Sequence, residues 1–441
     1  MKTTDKADAV VNIIGGGLAG CEAALYLASR GVGVKLYEAK PLWFSAAHKN
    51  TGFAEIVCSN SLKSTVETTA SGTLKKELDI LGCSLLRIAE TVSVPAGSAL
   101  AVDRDKFSAC VTAAVENEPN ITVVHEIVEE FPSDGLTLIC AGPVCHNGLA
   151  SALAKITGEQ SLHFFDAAAP IITAECVDMS SAFFGSRYGK GGDDYLNCPM
   201  TKDEYLAFYD ALCSAERAVE KTGEVFEGCM PVEVMAKRGV DALRFGPLRP
   251  VGFAFSGKRP YAVLQLRREN SQGTLYNMVG FQTNLKFGEQ RRVFSMISAL
   301  KNIEIVRYGV MHRNTFVNAP NVLCADLRLK ARNDLFVAGQ LCGVEGYVES
   351  IATGLLAAVN AHRLLCGMDT VTPPDETVLG ALCRYIVTPN CDFQPMNANF
   401  GILPSLADIK KADRKRAYFE RSVKAMSEFA QKMNIRHAKS V

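Results

Sequence analysis

Val10 to Glu38 reads VVNIIGGGLAGCEAALYLASRGVGVKLYE, and this stretch decides the fold. Val10 to Ile14 is a short, mostly apolar run that predicts a buried strand. A glycine turn follows, then a helix rich in alanine and leucine, then a second strand ending in the acid Glu38. Gly15, Gly17 and Gly20 carry the dinucleotide-binding spacing in that context. Gly15 makes the tight turn, Gly17 lets a pyrophosphate approach the backbone, and Gly20 lets helix and strand pack closely. Gly16, Leu18 and Ala19 complete the turn and open the helix, whose amides and positive end face the phosphates. Glu38 stands where a carboxylate accepts both ribose hydroxyls.

The same texture recurs outward from this unit. Leu136 to Pro143 (LTLICAGP) predicts another buried strand entering a glycine turn. Before it come a helix from about Arg104, capped by Asp103, and a strand at Ile121 to His125. From Asn333 the chain reads NDLFVAGQLCGVEGYVESIATGLLAAVNAHRLL, where a strand (Leu335 to Ala338) meets Gly339, Gly343 and Gly346 and then a long helix of small residues. Coupled to the first turn, this unit reads as the part of an FAD-binding fold that closes over the flavin. A helix N-terminus aimed there stabilises negative charge on the reduced ring. From about Cys145 to Arg307, short β-like runs (AVLQLR, NMVGFQT) alternate with charged loops and helices such as Lys202 to Val219, without a second fingerprint. The predicted fold class is α/β: a Rossmann-like FAD-binding domain, a parallel sheet with helices, split by an inserted α+β domain. Its expected parts are 1–145, the insert 146–306, and 307–441 with a charged C-terminal helix.

At 441 residues the chain is too long for one ordinary core. Its polar N-terminus leaves no room for a signal peptide before the first strand, and no uncharged run of about 18 apolar residues predicts a membrane span. The fifteen cysteines show no Cys-x-x-Cys pair and no metal-ligand spacing. Unpatterned thiols in a large enzyme indicate a reducing compartment, so the expected location is cytoplasmic and no metal site is expected. Net charge is zero, which argues against a protein that coats itself in polyanion. Basic residues nevertheless cluster: Lys237, Arg238, Arg244 and Arg249, then Lys258, Arg259, Arg267 and Arg268, with a further group at 410–416. Those in the middle of the chain keep local RNA binding open.

Several long strings closely resemble the folate- and FAD-dependent tRNA (uracil-5-)-methyltransferases. They include FAEIVCSNSLKS (Phe53 to Ser64), SVPAGSALAVDR, FFDAAAPI, YLNCPMT and FEGCMPVEVMAKRG (Phe226 to Gly239). GKRPYAVLQLR, TLYNMVGFQT, RYGVMHRNTF, GVEGYVES and FQPMNANFG extend the likeness, in chain order, from about Val11 to Leu406. The wider group includes larger FAD proteins that modify the tRNA wobble uridine, and the long helical C-terminal region of those proteins is missing here. The resemblance implies transfer of a one-carbon unit from 5,10-methylenetetrahydrofolate to C5 of a uridine, normally in the T-loop of tRNA, with electrons from FAD. A relative of the family acts on ribosomal RNA, and shared motifs do not separate the two.

That chemistry explains the residue types. Uracil C5 is a weak nucleophile until a thiolate adds at C6. A methylene donor is one hydride short of a methyl group, which a flavin supplies. By resemblance, Cys229 is the candidate nucleophile, near Lys237 and Arg238, and Cys58 assists, with removal of the C5 proton as its suggested part. The resemblance places His312 on the pterin of the folate and Tyr347 near the flavin ring, in one loop with Glu345 and Gly346. Lys237, Arg238 and Arg267 are candidates for phosphate contact. The target uridine must be flipped out of its loop. With one fingerprint only, NADH or NADPH is expected to visit the flavin transiently. No membrane or protein partner is indicated. A flavoprotein oxidoreductase of a small metabolite, and an RNA-binding module using FAD structurally, are the competing readings.

Overall fold

The computed structural model describes residues 10–189, 192–219, 230–407 and 409–435. Val10–Ile14 forms the centre of a six-stranded sheet because it is apolar on both faces and is flanked by parallel partners. On one side lies Gly33–Glu38 and beyond it Ile121–His125; on the other lie Leu136–Ile139 and Arg332–Val337. A two-residue strand, Arg328–Leu329, adds an antiparallel edge. The chain thus leaves the central strand in one direction and later returns on its other side. That reversal opens a crevice at the carboxyl ends of Val10–Ile14 and Leu136–Ile139, the usual ligand position in such sheets. The last long strand begins at Arg332, ahead of the expected Leu335, because the antiparallel edge strand holds its start.

The insert is a six-stranded sheet in which every pairing is antiparallel, centred on Ala262–Arg268. Its helix Lys202–Ser214 starts with a Thr201–Glu204 capping box. It ends before the expected Val219, because the Ala218 N–H donates to Asn284 O (2.7 Å) and the Val219 N–H to Asn284 Oδ1 (3.2 Å). Each unit has its own apolar core, the first around the parallel sheet and the second running from Ile172 to Ile305. The first core also takes Leu149, Leu153 and Phe164, so its packing continues past residue 145. Between the units, Leu162–Ala167 and Met311–Phe316 pair as a two-stranded ribbon that sets Asp166 opposite His312.

The C-terminal helix Arg414–Lys432 is part of the first unit. It buries Tyr418, Met426 and Phe429 in that core. Glu77, fully buried, accepts hydrogen bonds from the Val378 and Leu379 N–H groups (2.6 and 2.9 Å) and from Ser422 Oγ. One carboxylate therefore ties three helices together, and burial pushes it up to about 7.

Candidate active site at the switch point of the sheet

The glycine turn behaves as its spacing predicts. A Cβ on Gly15 would lie 2.5 Å from Ala141 Cα, and one on Gly20 would lie 1.9 Å from Gly15 O. Gly17, the N-cap of helix Leu18–Ala28, has no atom within 4 Å of such a Cβ, so the helix end faces open space. That helix packs tightly on Tyr347–Leu365, where a Cβ on Gly354 would meet Ala19 O at 2.3 Å. Glu38 accepts the Gly16 N–H and the Lys40 N–H, both at 2.9 Å, which leaves further lone pairs for ribose hydroxyls. The resulting cleft, open to solvent, is lined by Gly15 to Ala19, Glu38, Trp43, Gly339 and Tyr347. Its free helix N-terminus, glycine floor and buried acid fit an adenine dinucleotide.

Gly339, which sits against Ala19, and then Gly343 and Gly346 all have positive φ (+72°, +93° and +120°) and lead the chain away from the first turn. Gly346 caps the helix Tyr347–Leu365 and brings Tyr347 to the cleft wall. The Tyr347 hydroxyl oxygen accepts the Cys58 N–H (2.9 Å) and the Ser59 N–H (3.3 Å), and lies 2.9 Å from Cys58 Sγ. With two amides occupying the oxygen, its own proton points to sulfur. Burial pushes the Cys58 thiol up to about 11; Asp166 adds to the rise, while Tyr347 and Arg104 work against it. Burial also drives the Tyr347 phenol upward, with Cys58 contributing. Glu345, bonded by Gln340, is raised well above the carboxylate range by burial and by Asp166. His312 is 8% exposed, and its Nε2 has no hydrogen-bond partner among the described residues. Burial, then the Arg307 charge, then His48, hold it at about 4, so the ring is neutral at physiological pH.

The remaining expected residues separate. Lys237 and Arg238 are exposed, just after helix Val232–Ala236, and Phe245, at the end of the next short helix, Ala242–Phe245, is 85% exposed. Cys229 lies outside the described residues. Arg267 requires a correction: it is 7% exposed and its guanidinium is bound to Asn60 Oδ1 and Ser59 Oγ, both at 2.8 Å, so it does not present a charge to phosphate. Several neighbours were not found by motif reading. Glu349 is fully buried, with one oxygen accepting from Lys63 Nζ (2.7 Å) and the Ala398 N–H (2.9 Å). Arg104 grips Glu269 of the insert through two nitrogens (2.5 and 3.3 Å). Asp166 biases both Cys58 and Glu345. Lys63 and Asp166 do stand inside the strings FAEIVCSNSLKS and FFDAAAPI, a signal that their charge in apolar surroundings could have raised.

The fold and site define a class: an α/β dinucleotide-binding protein, interrupted by an antiparallel insert, with a half-buried thiol–phenol pair beside its cleft. The family model described as "GIDA: Glucose inhibited division protein A" matches residues 10–369. A protein of Acetivibrio thermocellus named "Methylenetetrahydrofolate--tRNA-(uracil-5-)-methyltransferase TrmFO" is 52% identical over 422 residues, covering 94% of this chain and 97% of the relative. The protein of that name from Bacillus subtilis is 52% identical over 424 residues, covering 94% and 97%. The chain belongs to this TrmFO family, within the group that the GIDA model describes. In fold it is similar to Aquifex aeolicus GidA, with a TM-score of 0.71 at 16% identity over 98% of this chain and 75% of that one.

Proposed function

We propose that this protein is a folate-dependent RNA methyltransferase that forms 5-methyluridine in the T-loop of tRNA. It takes the one-carbon unit from 5,10-methylenetetrahydrofolate and uses FAD, re-reduced by NADH or NADPH, in the cytoplasm. The observation that carries the reading is the Cys58–Tyr347 pair at the flavin end of a dinucleotide cleft, in a chain about half identical to relatives bearing that enzyme name. FAD would lie with its pyrophosphate at Gly15 to Gly20, its ribose at Glu38 and its ring toward Gly346 and Tyr347. When bound and reduced it supplies the hydride that turns a methylene into a methyl group.

The protein's own groups do the rest. Cys229 adds its thiolate to uracil C6, and the electron pair moves to the C4 carbonyl. C5 of the enolate attacks the methylene carbon of the folate iminium, whose C=N pair moves to nitrogen. Loss of the C5 proton then breaks the C–N bond and releases tetrahydrofolate. Once the methylene carbon has gained a hydride, the enolate expels the Cys229 thiolate from C6. Cys58 accepts the proton that leaves C5. A thiol held at about 11 is protonated at neutral pH, so the rate of methyl transfer should keep climbing as pH rises above 7 toward about 11. The neutral His312, with its unshared Nε2, is suited to stack on and hydrogen-bond a pterin. Lys237, Arg238 and the exposed Phe245 ring offer cation and stacking contacts to RNA.

The test is transfer of labelled carbon from methylenetetrahydrofolate, with NADPH, into separate tRNA and ribosomal RNA transcripts. Label at the T-loop uridine is expected. Label in ribosomal RNA alone would keep the chemistry and change the substrate; no label from a reducible flavoprotein would point to a metabolite oxidoreductase.

A further inference from the structure

Arg267 is the penultimate residue of the insert's central strand, Ala262–Arg268, and its side chain reaches across to the other unit. Its Nε–H donates to Asn60 Oδ1 and an Nη2–H donates to Ser59 Oγ, both at 2.8 Å. Asn60, itself fully buried, donates from Nδ2 to Val102 O (3.0 Å) in its own unit and to Arg268 O (2.9 Å) in the insert. Ser59 and Asn60 directly follow Cys58, whose N–H and thiol are held from the opposite side by the Tyr347 hydroxyl. Residues 58–60 are therefore gripped between a phenol of the cofactor unit and a guanidinium of the insert.

Burying a guanidinium is costly unless hydrogen bonds replace water, and burial does depress the Arg267 pKa. An apolar side chain would close the same seam without that cost. The neighbouring Arg104–Glu269 pair already joins the two units by charge. What Arg267 adds is a planar fork with two donors aimed at the two residues next to the thiol, a geometry lysine cannot reproduce.

We infer that Arg267 is a positioning residue for Cys58: by holding Ser59 and Asn60 it fixes the thiol against the Tyr347 hydroxyl and makes the reactive loop depend on the insert. This rests on the reading of Cys58 as an acting thiol, and the test separates the two claims.

The full-length flavoprotein is treated with iodoacetamide, and alkylation of each cysteine is followed by peptide mass spectrometry. In Arg267→Met the rate at Cys58 should rise about 10-fold, and in Ser59→Ala, which removes one of the two contacts, about 3-fold, as expected for lost charged hydrogen bonds that restrain a local opening. Arg267→Lys should restore part of the protection. The exposed Cys110 should react at the wild-type rate, and the buried Cys21, Cys140 and Cys198 should stay protected; their exposure would mean general unfolding and would overturn a local role. Wild-type alkylation of Cys58 in Arg267→Met also overturns the inference. If that variant does not fold, an unchanged rate in Ser59→Ala does so. Methyl transfer should fall about 100-fold in Arg267→Met, the scale of a misplaced reactive group. Altered alkylation with unchanged methyl transfer would leave the positioning intact and refute the role of Cys58.

Discussion

At the Gly15–Gly20 end of the cleft, glycine is required by nearby backbone: any Cβ at 15 or 20 would strike the next strand or the turn itself. At the Gly339–Gly346 end positive φ recurs, as at Gly15, but the neighbours are side chains: the Phe393 ring lies 2.4 Å from a Cβ on Gly343, and Glu349 Oε2 and Lys63 Nζ lie 2.3 and 2.7 Å from one on Gly346. The first end is backbone built to receive phosphate. The second is a polar cluster drawn from residues 58–63, 166, 340–349 and 396–398. Binding and chemistry are thus divided along one cleft: the turn supplies a place and the cluster supplies reactive groups.

The sharpest way to break this division is Gly20→Ala. The added methyl meets Gly15 O at 1.9 Å, so the strand–helix junction must open. Loss of bound flavin and a destabilisation of about 3 kcal/mol or more are expected, read by flavin absorbance and denaturant unfolding. Cys58→Ala tests the other end. Methyl transfer should drop by about 10²–10⁴-fold, the range for a lost acid–base group, while flavin content stays at the wild-type level. A parallel loss of flavin would show that the two ends are one device. Gly346→Ala should cost about 2 kcal/mol through backbone strain and weaken flavin binding, measured by titration of the apoprotein.

His312 sharpens the comparison through pH. Its folded value of about 4 lies below the ordinary 6.5, so the unfolded chain takes up the proton first as pH falls. Stability contributed by the neutral ring is complete above 6.5 and is lost on acidification toward 4. The loss should reach roughly 1–3 kcal/mol and flatten in His312→Asn, followed by Tm across that window. The smallest effect expected is on the insert's surface. Phe245→Ala should raise the Kd for tRNA about 5- to 10-fold, the value of one stacked base, with Tm unchanged.

Arg267 shows where a linear reading loses its grip. It stands beside Arg268 and downstream of Lys258 and Arg259, so charge along the sequence suggests one basic surface. Strand alternation and the Asn60–Ser59 partners, some two hundred positions away, turn it inward instead. Lys202 to Val219 is a milder case. The helix start at Lys202 was legible, and the structure fixes it with the Thr201–Glu204 capping box, but its end was set by Asn284 from a distant loop.

By itself the sequence determined the nucleotide-binding turn, because the apolar run, the glycine spacing and the acid at Glu38 act within a single strand–helix–strand unit. It also determined the presence of an insert and, through the resemblance, which cysteines to watch. Only the tertiary structure decided the environment of the thiol. The Arg267 fork holds the two residues after Cys58, while the Tyr347 hydroxyl, the Asp166 carboxylate and the Arg104 guanidinium act on the thiol from three separate parts of the chain. Their effect on its proton depends on distance and burial, which are properties of packing and not of residue order.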